Sequence, residues 1–413
     1  MIVGLDIGST KVCAVIGEIN EQGSLEITGI GASPSTGLKK GIVVNIEATL
    51  RSVISAIEEA EMMSGQEVKS CWTGIGGSHI EGISSRGVVA VTGRNNGVRE
   101  IGKDDIDRVM EAARAVVIPM DRQILEVIPQ NFIVDDQRGI RDPLGMIGVR
   151  LEAEVHIITC SGTGAQNIAK CVQRARFGVN DLILQSLAAA RSVITADEKE
   201  LGVILIDLGG GTTDMLVYSE GAPYSTATIA AGGTQVTNDI SILKNITFET
   251  AEKIKLEAGC CWEPFLEGDD DIIVPGVGGR APLAIPKSQV LAIIKPRMEE
   301  IFKMVKEKID KLSLPRPLGG GVVITGGGAQ LLGAAELAMD VFNLPVRVGA
   351  PLPVGGLVDE YRNPAYATAV GLVLEAYERE KKNLVIPSGD DRIRENGDSL
   401  IGKLLDWFKK EFF

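Results

Sequence analysis

The chain has 413 residues, of which 45% are hydrophobic and 49 are glycine, and its formal net charge is −13. A chain of this length is too long for one ordinary hydrophobic core, so we expect two or more domains or subdomains. The composition is typical of a globular α/β protein. The acidic balance excludes a general nucleic-acid binder, because it offers no large basic field to release counterions.

Cysteine and histidine are too sparse for a zinc site or a disulfide framework. The six cysteines include no Cys-x-x-Cys pair, and the histidines are His79 and His156. We therefore expect buried, reduced thiols, and a structural role for His156 in the alternating segment EVHIITC. The chain starts with the strand-like MIVGLDIG and contains no window of about 18 apolar residues. These features predict a cytoplasmic protein with neither a signal peptide nor a membrane span.

The first predicted element is a β-hairpin in IVGLDIGSTKVCAVIG, which starts at Ile2. Its turn residues are Gly8, Ser9, Thr10 and Lys11. Glycine permits close approach of the backbone to a ligand, and consecutive N–H groups with hydroxyls form a concave surface suited to phosphate oxygens. Asp6 ends the first strand, where its carboxylate is suited to hold Mg²⁺, largely through water. Taken alone, this segment is weak evidence for such a site, because most glycine-rich hairpin turns are only turns.

A small α/β unit is predicted next. GVVAVTG is typical of a strand, and GKDDIDRVMEAARAV is typical of a helix. Asp104 and Asp105 lie at the start of this helix, where their negative charges interact favourably with the helix dipole. The segment 126–160 then predicts strands on both sides of a turn that contains Asp135.

The segment VILIDLGGGTTDMLVY, residues 203–218, repeats the plan of the first hairpin, with Asp207 in the place of Asp6. Its turn residues are Gly209, Gly210, Gly211, Thr212 and Thr213. Two such turns in tandem halves, each preceded by an aspartate, favour a phosphate and Mg²⁺ site over two unrelated turns.

Two further elements follow in the second half. SQVLAIIKPRMEEIFKMVKEKIDKL is typical of an amphipathic helix that Pro296 kinks or breaks. The segment 319–342 then predicts a strand, a tight turn and a helix that starts at AQLL. Its turn residues are Gly326, Gly327 and Gly328. Such a turn brings glycine backbone against the start of a helix, where an adenosine or its α-phosphate can pack; a plain strand-to-helix turn is the alternative.

The end of the chain predicts an amphipathic helix on a tether. Residues 384–398 are charged and contain proline and glycine, and as a loose coil they would span about 20 Å. In the helix 399–413 the apolar face is formed by Leu400, Ile401, Leu404, Leu405, Trp407, Phe408 and Phe412. Lys403 and Lys410 are suited to anionic head groups, so the pattern favours a helix in a membrane interface. The alternative is a terminal helix docked on the protein or on a partner.

In order, the two hairpins and the glycine-rich turn resemble the phosphate-1, phosphate-2 and adenosine motifs of the actin/Hsp70/sugar-kinase ATPase superfamily. Over essentially the whole chain the sequence resembles the FtsA family of bacterial cell-division proteins, on the segments 126–160 and 276–312 and on the terminal helix. The type IV pilus protein PilM shares the fold and a similar insertion. The resemblance implies an actin-like (ribonuclease H-like) α/β fold of two pseudo-symmetric halves, with an inserted 1C subdomain and a C-terminal amphipathic helix.

The resemblance also implies a domain plan. Its parts are 1–79, 159–195 and 358–383 as subdomain 1A; 80–158 as 1C; 196–235 and 316–357 as 2A; 236–315 as 2B; 384–398 as linker; and 399–413 as the membrane-targeting helix.

The family further implies ATP and Mg²⁺ as ligands, with at most a weak ATPase activity and no metabolic reaction. Gln185, at the start of the helix QSLAAARSVI, takes the place of a residue that orients the attacking water, although a lone glutamine is often only polar surface. Glu252 and Lys255 would contact ribose and adenine, with an i, i+3 surface ion pair as the alternative. Arg297 would receive the acidic C-terminal peptide of FtsZ, with a solvated basic face as the alternative.

The implied function is an actin-like protein that polymerises on the inner face of the cytoplasmic membrane at the division site. There it would anchor the FtsZ ring and recruit later division proteins through residues 80–158. The alternatives are a metabolic kinase of the same superfamily, and an Hsp70-like or PilM-like scaffold with a different partner.

Overall fold

In this computed structural model, the described residues are 1–92, 98–266, 268–275 and 281–385. Side chains are described as far as Lys381. The predicted membrane helix at 399–413, nearly all of the tether at 384–398 and the segment 276–280 lie outside these residues. Among the helices of the described ranges, none combines the length and the apolar run that crossing a bilayer requires.

The secondary structure follows the chain as alternating strands and helices. The strands are β1 (Ile2–Ile7), β2 (Lys11–Ile19), β3 (Leu25–Pro34), β4 (Leu38–Lys39), β5 (Ile42–Val43), β6 (Ser70–Ile75), β7 (Glu81–Ala90), β8 (Arg99–Glu100), β9 (Arg122–Val134), β10 (Gln137–Ile140), β11 (Ile147–Gly148), β12 (Arg150–Ser161), β13 (Gly178–Leu184), β14 (Val203–Leu208), β15 (Thr213–Ser219), β16 (Ala222–Ile229), β17 (Asp271–Val274), β18 (Leu283–Pro286), β19 (Val322–Thr325) and β20 (Val346–Val348). The helices are α1 (Ile46–Ser64), α2 (Lys103–Arg114), α3 (Gly162–Arg174), α4 (Gln185–Val193), α5 (Ala196–Leu201), α6 (Gly233–Lys244), α7 (Phe248–Ala258), α8 (Lys287–Ile309), α9 (Ala334–Phe342), α10 (Val358–Tyr361) and α11 (Ala367–Val385).

The two large sheets have the same strand order, β13-β6-β1-β2-β3 in the first half and β20-β19-β14-β15-β16 in the second. In each sheet three antiparallel strands are extended by two parallel ones. Asp6 lies opposite Cys13 in the first hairpin, and Asp207 lies opposite Asp214 in the second. Both predicted hairpins are therefore confirmed, and they occupy equivalent positions in two similar halves.

The helices α4 and α11 cross between the two sheets and pack so closely that backbone atoms of one helix contact the other. A Cβ atom on Gly371 would lie 1.7 Å from the carbonyl oxygen of Ala188, so only glycine permits this contact. Ser192 adds a hydrogen bond from its hydroxyl to the carbonyl oxygen of Ala367, at 2.6 Å. The small residues on the facing surfaces of the two helices allow this close packing.

An α/β unit between β6 and α3 consists of the sheet β10-β9-β12-β7 with α2 packed on it. Its helix approaches the sheet closely because Gly87 has no side chain: a Cβ there would lie 2.4 Å from the backbone nitrogen of Ala113. The buried Asp105 fixes the start of the helix through hydrogen bonds from the Gly102 backbone N–H at 3.0 Å and the Arg99 guanidinium at 2.5 and 2.7 Å.

The same unit contacts the edge strand β16 of the second half. The side-chain amide of Gln130 donates to the carbonyl oxygens of Pro223 and Tyr224, at 3.0 and 2.9 Å. His156 is buried against Thr226, as expected for a structural histidine. All six cysteines fall within the described residues and are buried free thiols, as the sequence predicted.

Helix α8 forms the core of an outer lobe with α6 and α7, where its apolar side chains, among them Ile294, Met298 and Phe302, are buried as expected for an amphipathic helix. The helix runs through Pro296 without a break. Proline leaves the carbonyl of Ala292 without its helical N–H partner, but Ala292 is exposed, so water can supply the missing hydrogen bond. Of the two alternatives predicted at this proline, the break was wrong, and the kink stays a prediction.

The segment after β19 differs from the predicted strand-turn-helix. Residues Gly327–Gln330 form a 3₁₀ turn, and the α-helix begins only at Ala334. Gly333 precedes it with a φ of +83°, a left-handed conformation that interrupts any helix starting earlier. The glycine-rich turn therefore opens into a short coil, and α9 starts five residues later than AQLL implied.

Candidate functional site

The two hairpin turns face each other where the halves meet. A Cβ on Gly210 would lie 2.5 Å from the hydroxyl of Thr10, and one on Gly211 would lie 2.5 Å from the hydroxyl of Ser9. Ser9 also accepts a hydrogen bond from the backbone N–H of Gly41, at 2.9 Å. The structure therefore brings the predicted phosphate turns into direct contact, with only glycine tolerated on one side.

Both turns are tight for the same reason. A Cβ on Gly8 would lie 2.8 Å from the carbonyl oxygen of Lys11, and one on Gly209 would lie 2.8 Å from that of Thr212. Thr213 is fully buried and donates its hydroxyl to the carbonyl of Ala231 at 2.9 Å, so its side chain points into the sheet.

A cavity of about 1120 Å³ opens beside these turns, between the halves. Seven predicted ligand-binding residues line it: Thr10, Gly209, Gly210, Glu252, Lys255, Gly327 and Gly328. It is also lined by residues that sequence reasoning missed, among them Ser35, Gly233, Thr234, Phe265 and Gln330. Gly233 and Thr234 form the start of α6, where their N–H groups bond to the carbonyls of the second turn at 2.9 and 2.8 Å. The glycine pair at 232–233 was the signal for this close approach.

Asp6 and Asp207 lie at equivalent strand ends, close enough for the charge of Asp207 to raise the pKa of Asp6. Burial raises the pKa of Asp6 to about 6, and Lys11 opposes the shift. Burial also raises the pKa of Asp207, against the hydrogen bond from Thr368 and the charge of Lys11. Half-buried carboxylates of this kind are stabilised by a cation, which fits a bound Mg²⁺.

Each of these carboxylates is bonded to the start of one crossing helix. The amide nitrogen of Gln185 donates to Oδ1 of Asp6 at 2.6 Å. The hydroxyl of Thr368 donates to Oδ2 of Asp207 at 3.0 Å. Gln185 therefore lies beside the predicted metal site, whereas Thr368 is a residue that the sequence did not single out.

Lys11 points across the site towards the segment before α11. Its Nζ donates to the carbonyl oxygen of Ala365 at 2.5 Å and lies 4.1 Å from the ring centroid of Tyr366. The lysine therefore lowers the pKa of both aspartates and also joins the first turn to the chain that enters α11. Neither Ala365 nor Tyr366 carried a sequence signal for this role.

Asp214 is a third buried carboxylate, across the hairpin from Asp207, and the sequence analysis did not assign it. Burial raises its pKa to about 7; the hydroxyl of Thr228 opposes this shift and the charge of Asp207 adds to it. Thr228 and Thr212 donate to its two oxygens, at 2.5 and 3.1 Å. The signal was the second aspartate of DLGGGTTD, which the antiparallel pairing of the hairpin places opposite the first.

The third predicted turn touches the second aspartate. Gly326 has a φ of +82°, and a Cβ there would lie 2.2 Å from Oδ1 of Asp207. Its backbone N–H donates to the carbonyl oxygen of Pro364 at 3.2 Å. All three glycine-rich turns are thus brought together around one cleft.

Glu252 and Lys255 form an ion pair at 2.8 Å and also line the cavity. Lys255 further donates to Thr237 at 2.9 Å and to the carbonyl of Gly233 at 3.2 Å, which fixes α7 against the start of α6. The ion pair that the sequence offered as the alternative is therefore present, on the wall of the cavity.

Arg297 lies on α8, away from the cavity lining, and is already paired. Its guanidinium donates to both oxygens of Asp239, at 2.6 and 3.2 Å, and it also contacts Glu300. Neighbouring Lys303 pairs with Glu299 at 2.5 Å.

Within the described part of the chain, no group of three or more His, Cys, Asp or Glu side chains is arranged to hold a metal ion. A Mg²⁺ ion at the cleft would therefore be held by few protein ligands, as is usual when phosphates supply the others.

Solved structures with the same architecture show the fold. A PilM–PilN type IV pilus biogenesis complex matches with a TM-score of 0.65 and 16% identity, over 91% of this chain and 98% of that one. MreB 5 of Spiroplasma citri, in a crystal structure bound to AMPPNP, matches with a TM-score of 0.54 and 15% identity, over 93% of this chain and 97% of that one. The actin-like fold predicted from the sequence is confirmed.

Sequence comparisons identify the family. The family model for cell division protein FtsA matches residues 204–371, and that for the SHS2 domain inserted in FtsA matches 77–159, which confirms the predicted insertion. Cell division protein FtsA of Pseudomonas aeruginosa is 45% identical over 93% of this chain and 91% of its own length. That of Borreliella burgdorferi is 44% identical over 100% and 99%, respectively. The chain belongs to the FtsA family of cell division proteins.

Proposed function

We propose that the chain binds ATP with Mg²⁺ in the cleft between its two halves. The observation that carries this proposal is the contact of the two turns, Thr10 against Gly210 and Ser9 against Gly211, beside a cavity of about 1120 Å³. Backbone N–H groups and hydroxyls in such turns suit phosphate oxygens. The AMPPNP bound to the structural neighbour MreB 5 supports the same ligand class.

Each group of site residues has a role that follows from its chemistry. The turns at 8–11 and 209–213 bind phosphates, and the turn at 326–328, with Glu252 and Lys255, binds the adenosine. Asp6 and Asp207 hold Mg²⁺ largely through water; when bound, the ion neutralises phosphate charge. Gln185 orients a water molecule for slow hydrolysis.

Equilibrium titration with a fluorescent ATP analogue in the presence of Mg²⁺ tests this site. Asp207→Ala should weaken binding, whereas Asp197→Ala, on the exposed surface of α5, should leave binding unchanged. Equal binding by the wild type and Asp207→Ala would remove Asp207 from the site. Failure of the wild type to bind any nucleotide would refute the proposal.

The second part of the proposal is that the outer lobe receives the acidic C-terminal peptide of FtsZ. Arg297 is the proposed contact, and the peptide's carboxylate would have to compete with Asp239 and Glu300 for it. Fluorescence anisotropy with a labelled FtsZ peptide tests this. Arg297→Ala should weaken binding, and Arg316→Ala, whose pairing with Glu220 is exposed, should not. Unchanged affinity in Arg297→Ala would exclude this arginine as the contact.

The third part is that the protein forms actin-like filaments on the inner face of the cytoplasmic membrane and recruits division proteins through residues 80–158. One interfacial helix at 399–413 would bind weakly, because burial of its apolar side chains is partial and the helix must order on binding. Joining many copies in a filament multiplies the attachment. Deletion of 399–413 should abolish flotation with anionic vesicles and leave ATP binding intact; flotation that survives the deletion would exclude this helix as the anchor.

A further inference from the structure

The hydroxyl of Thr368 connects the two halves at the predicted metal site. Thr368 lies in the first turn of α11 and is 7% exposed, and its Oγ1 lies 3.0 Å from Oδ2 of Asp207 on β14. The other oxygen of Asp207 faces the turn at Gly326, where a Cβ would lie only 2.2 Å away. The carboxylate is therefore fixed on both sides, by a hydroxyl on one oxygen and by a side-chain-free turn beside the other.

The first half contains an equivalent arrangement. Gln185, the first residue of α4, donates to Oδ1 of Asp6 at 2.6 Å. Thr368 has the same relation to Asp207, because α11 starts beside the end of β14 as α4 starts beside the end of β1. Each predicted metal carboxylate is thus held by one side chain from the first turn of one crossing helix.

The two helices that carry these side chains are locked to each other. Gly371, one turn after Thr368, allows the backbone of α11 to touch Ala188 of α4. The hydroxyl of Ser192 bonds to the carbonyl of Ala367, the residue before Thr368, at 2.6 Å. The position of the Thr368 hydroxyl is therefore set by helix packing, and a change at Asp207 acts directly on the start of α11.

We propose that Thr368 is a positioning residue for the metal–nucleotide complex: its hydroxyl orients Asp207 towards Mg²⁺ and its hydrated phosphates. This inference rests on the proposed function. Partners that orient a metal-binding group in this way typically change metal affinity by about 10- to 100-fold when they are removed. Since Thr368 hydrogen-bonds Asp207 and is not among the residues that line the cavity, its contribution should appear only when the metal is present.

The test compares nucleotide affinity in Mg²⁺ and in EDTA for three variants of the full chain. Thr368→Val keeps the shape and removes the hydroxyl; it should weaken binding about tenfold in Mg²⁺ and leave the affinity in EDTA unchanged. Thr368→Ser should restore binding in Mg²⁺. Thr49→Val is the matched control, because Thr49 is also a buried threonine and its hydroxyl donates to a backbone carbonyl, that of Asn45 at 2.9 Å; it should bind like the wild type.

A double-mutant cycle separates positioning from a general loss of structure. If Thr368 acts through Asp207, then Thr368→Val should cause no further loss of Mg²⁺-dependent binding in an Asp207→Ala background. Equal weakening with and without Mg²⁺, additive losses in the cycle, or an unaltered Thr368→Val would each overturn the inference while the nucleotide site stands. If the wild type binds no nucleotide in either buffer, the proposed nucleotide binding is refuted, and the positioning role of Thr368 is refuted with it.

Discussion

Nε2 of His156, in the inserted unit, lies 2.9 Å from Oγ1 of Thr226, on the edge strand of the second half. Both residues are buried, so this contact belongs to a packed interface. The inserted unit is covalently part of the first half, but through His156 and Gln130 it is also bonded to the second. Any rotation of one half against the other must therefore be accommodated at this interface.

We predict that Gly82→Ala destabilises the protein through this interface. A Cβ at position 82 would lie 2.5 Å from Cε1 of His156 and 2.7 Å from Oγ1 of Thr226. Overpacking of this kind typically costs about 1–3 kcal/mol. Urea unfolding should show the loss, and Gly162→Ala, where the nearest atom is 3.6 Å away, is the control. Equal stability of the two variants would show that the interface adapts without cost.

We predict that His156 makes the protein less stable as the pH falls. Burial lowers the pKa of His156 to about 4, from an ordinary value of 6.5. Between these values the unfolded chain binds a proton that the folded protein does not, so the free energy of unfolding falls with falling pH. His156→Gln removes this difference, and the gap between the unfolding curves of variant and wild type should change between pH 6.5 and 4. A constant gap would show that His156 does not titrate differently on folding.

We predict a pH-dependent cost for removing Arg379, which joins α11 to the inserted unit. Its guanidinium donates to Glu126 at 2.9 Å, Asp181 at 3.2 Å and Glu375 at 3.0 Å, and these side chains are about one quarter exposed. Arg379→Met leaves these carboxylates without their cation, which should lower the free energy of unfolding by about 2 kcal/mol at neutral pH. This value lies between those typical of surface ion pairs and of buried ion pairs. Burial already raises the pKa values of Glu126 and Asp181.

Loss of the arginine raises these pKa values further, so both acids take up protons as the pH falls and the cost of Arg379→Met should shrink. Urea unfolding at pH 7.5 and pH 5 measures this. Arg141→Met is the matched control, since its pair with Glu200 is exposed and should contribute less than about 0.5 kcal/mol at either pH. A cost for Arg379→Met that does not depend on pH would contradict the account.

Features set by local sequence were predictable. The two hairpins follow from apolar strands around Asp-x-Gly turns, and helix α4 follows from the alanine-rich segment QSLAAARSVI. The late start of α9 was missed because Gly333 acts through its left-handed backbone, which the helical pattern of the neighbouring residues conceals. Three contacts were missed for another reason: Thr368 with Asp207, Tyr366 with Lys11, and His156 with Thr226. Each contact joins residues that are far apart in the chain, and only the packing of the folded protein creates it.

Amide hydrogen exchange, with and without Mg²⁺–ATP, shows whether the nucleotide binds between the two halves. If the nucleotide binds between the halves, the turns at 8–11, 209–213 and 326–330 should all gain protection together, as should the start of α6 at Gly233. Exchange in the exposed helix α5 should stay the same. Protection confined to one half, or no protection in any of the three turns at saturating Mg²⁺–ATP, would contradict a nucleotide site in this cleft.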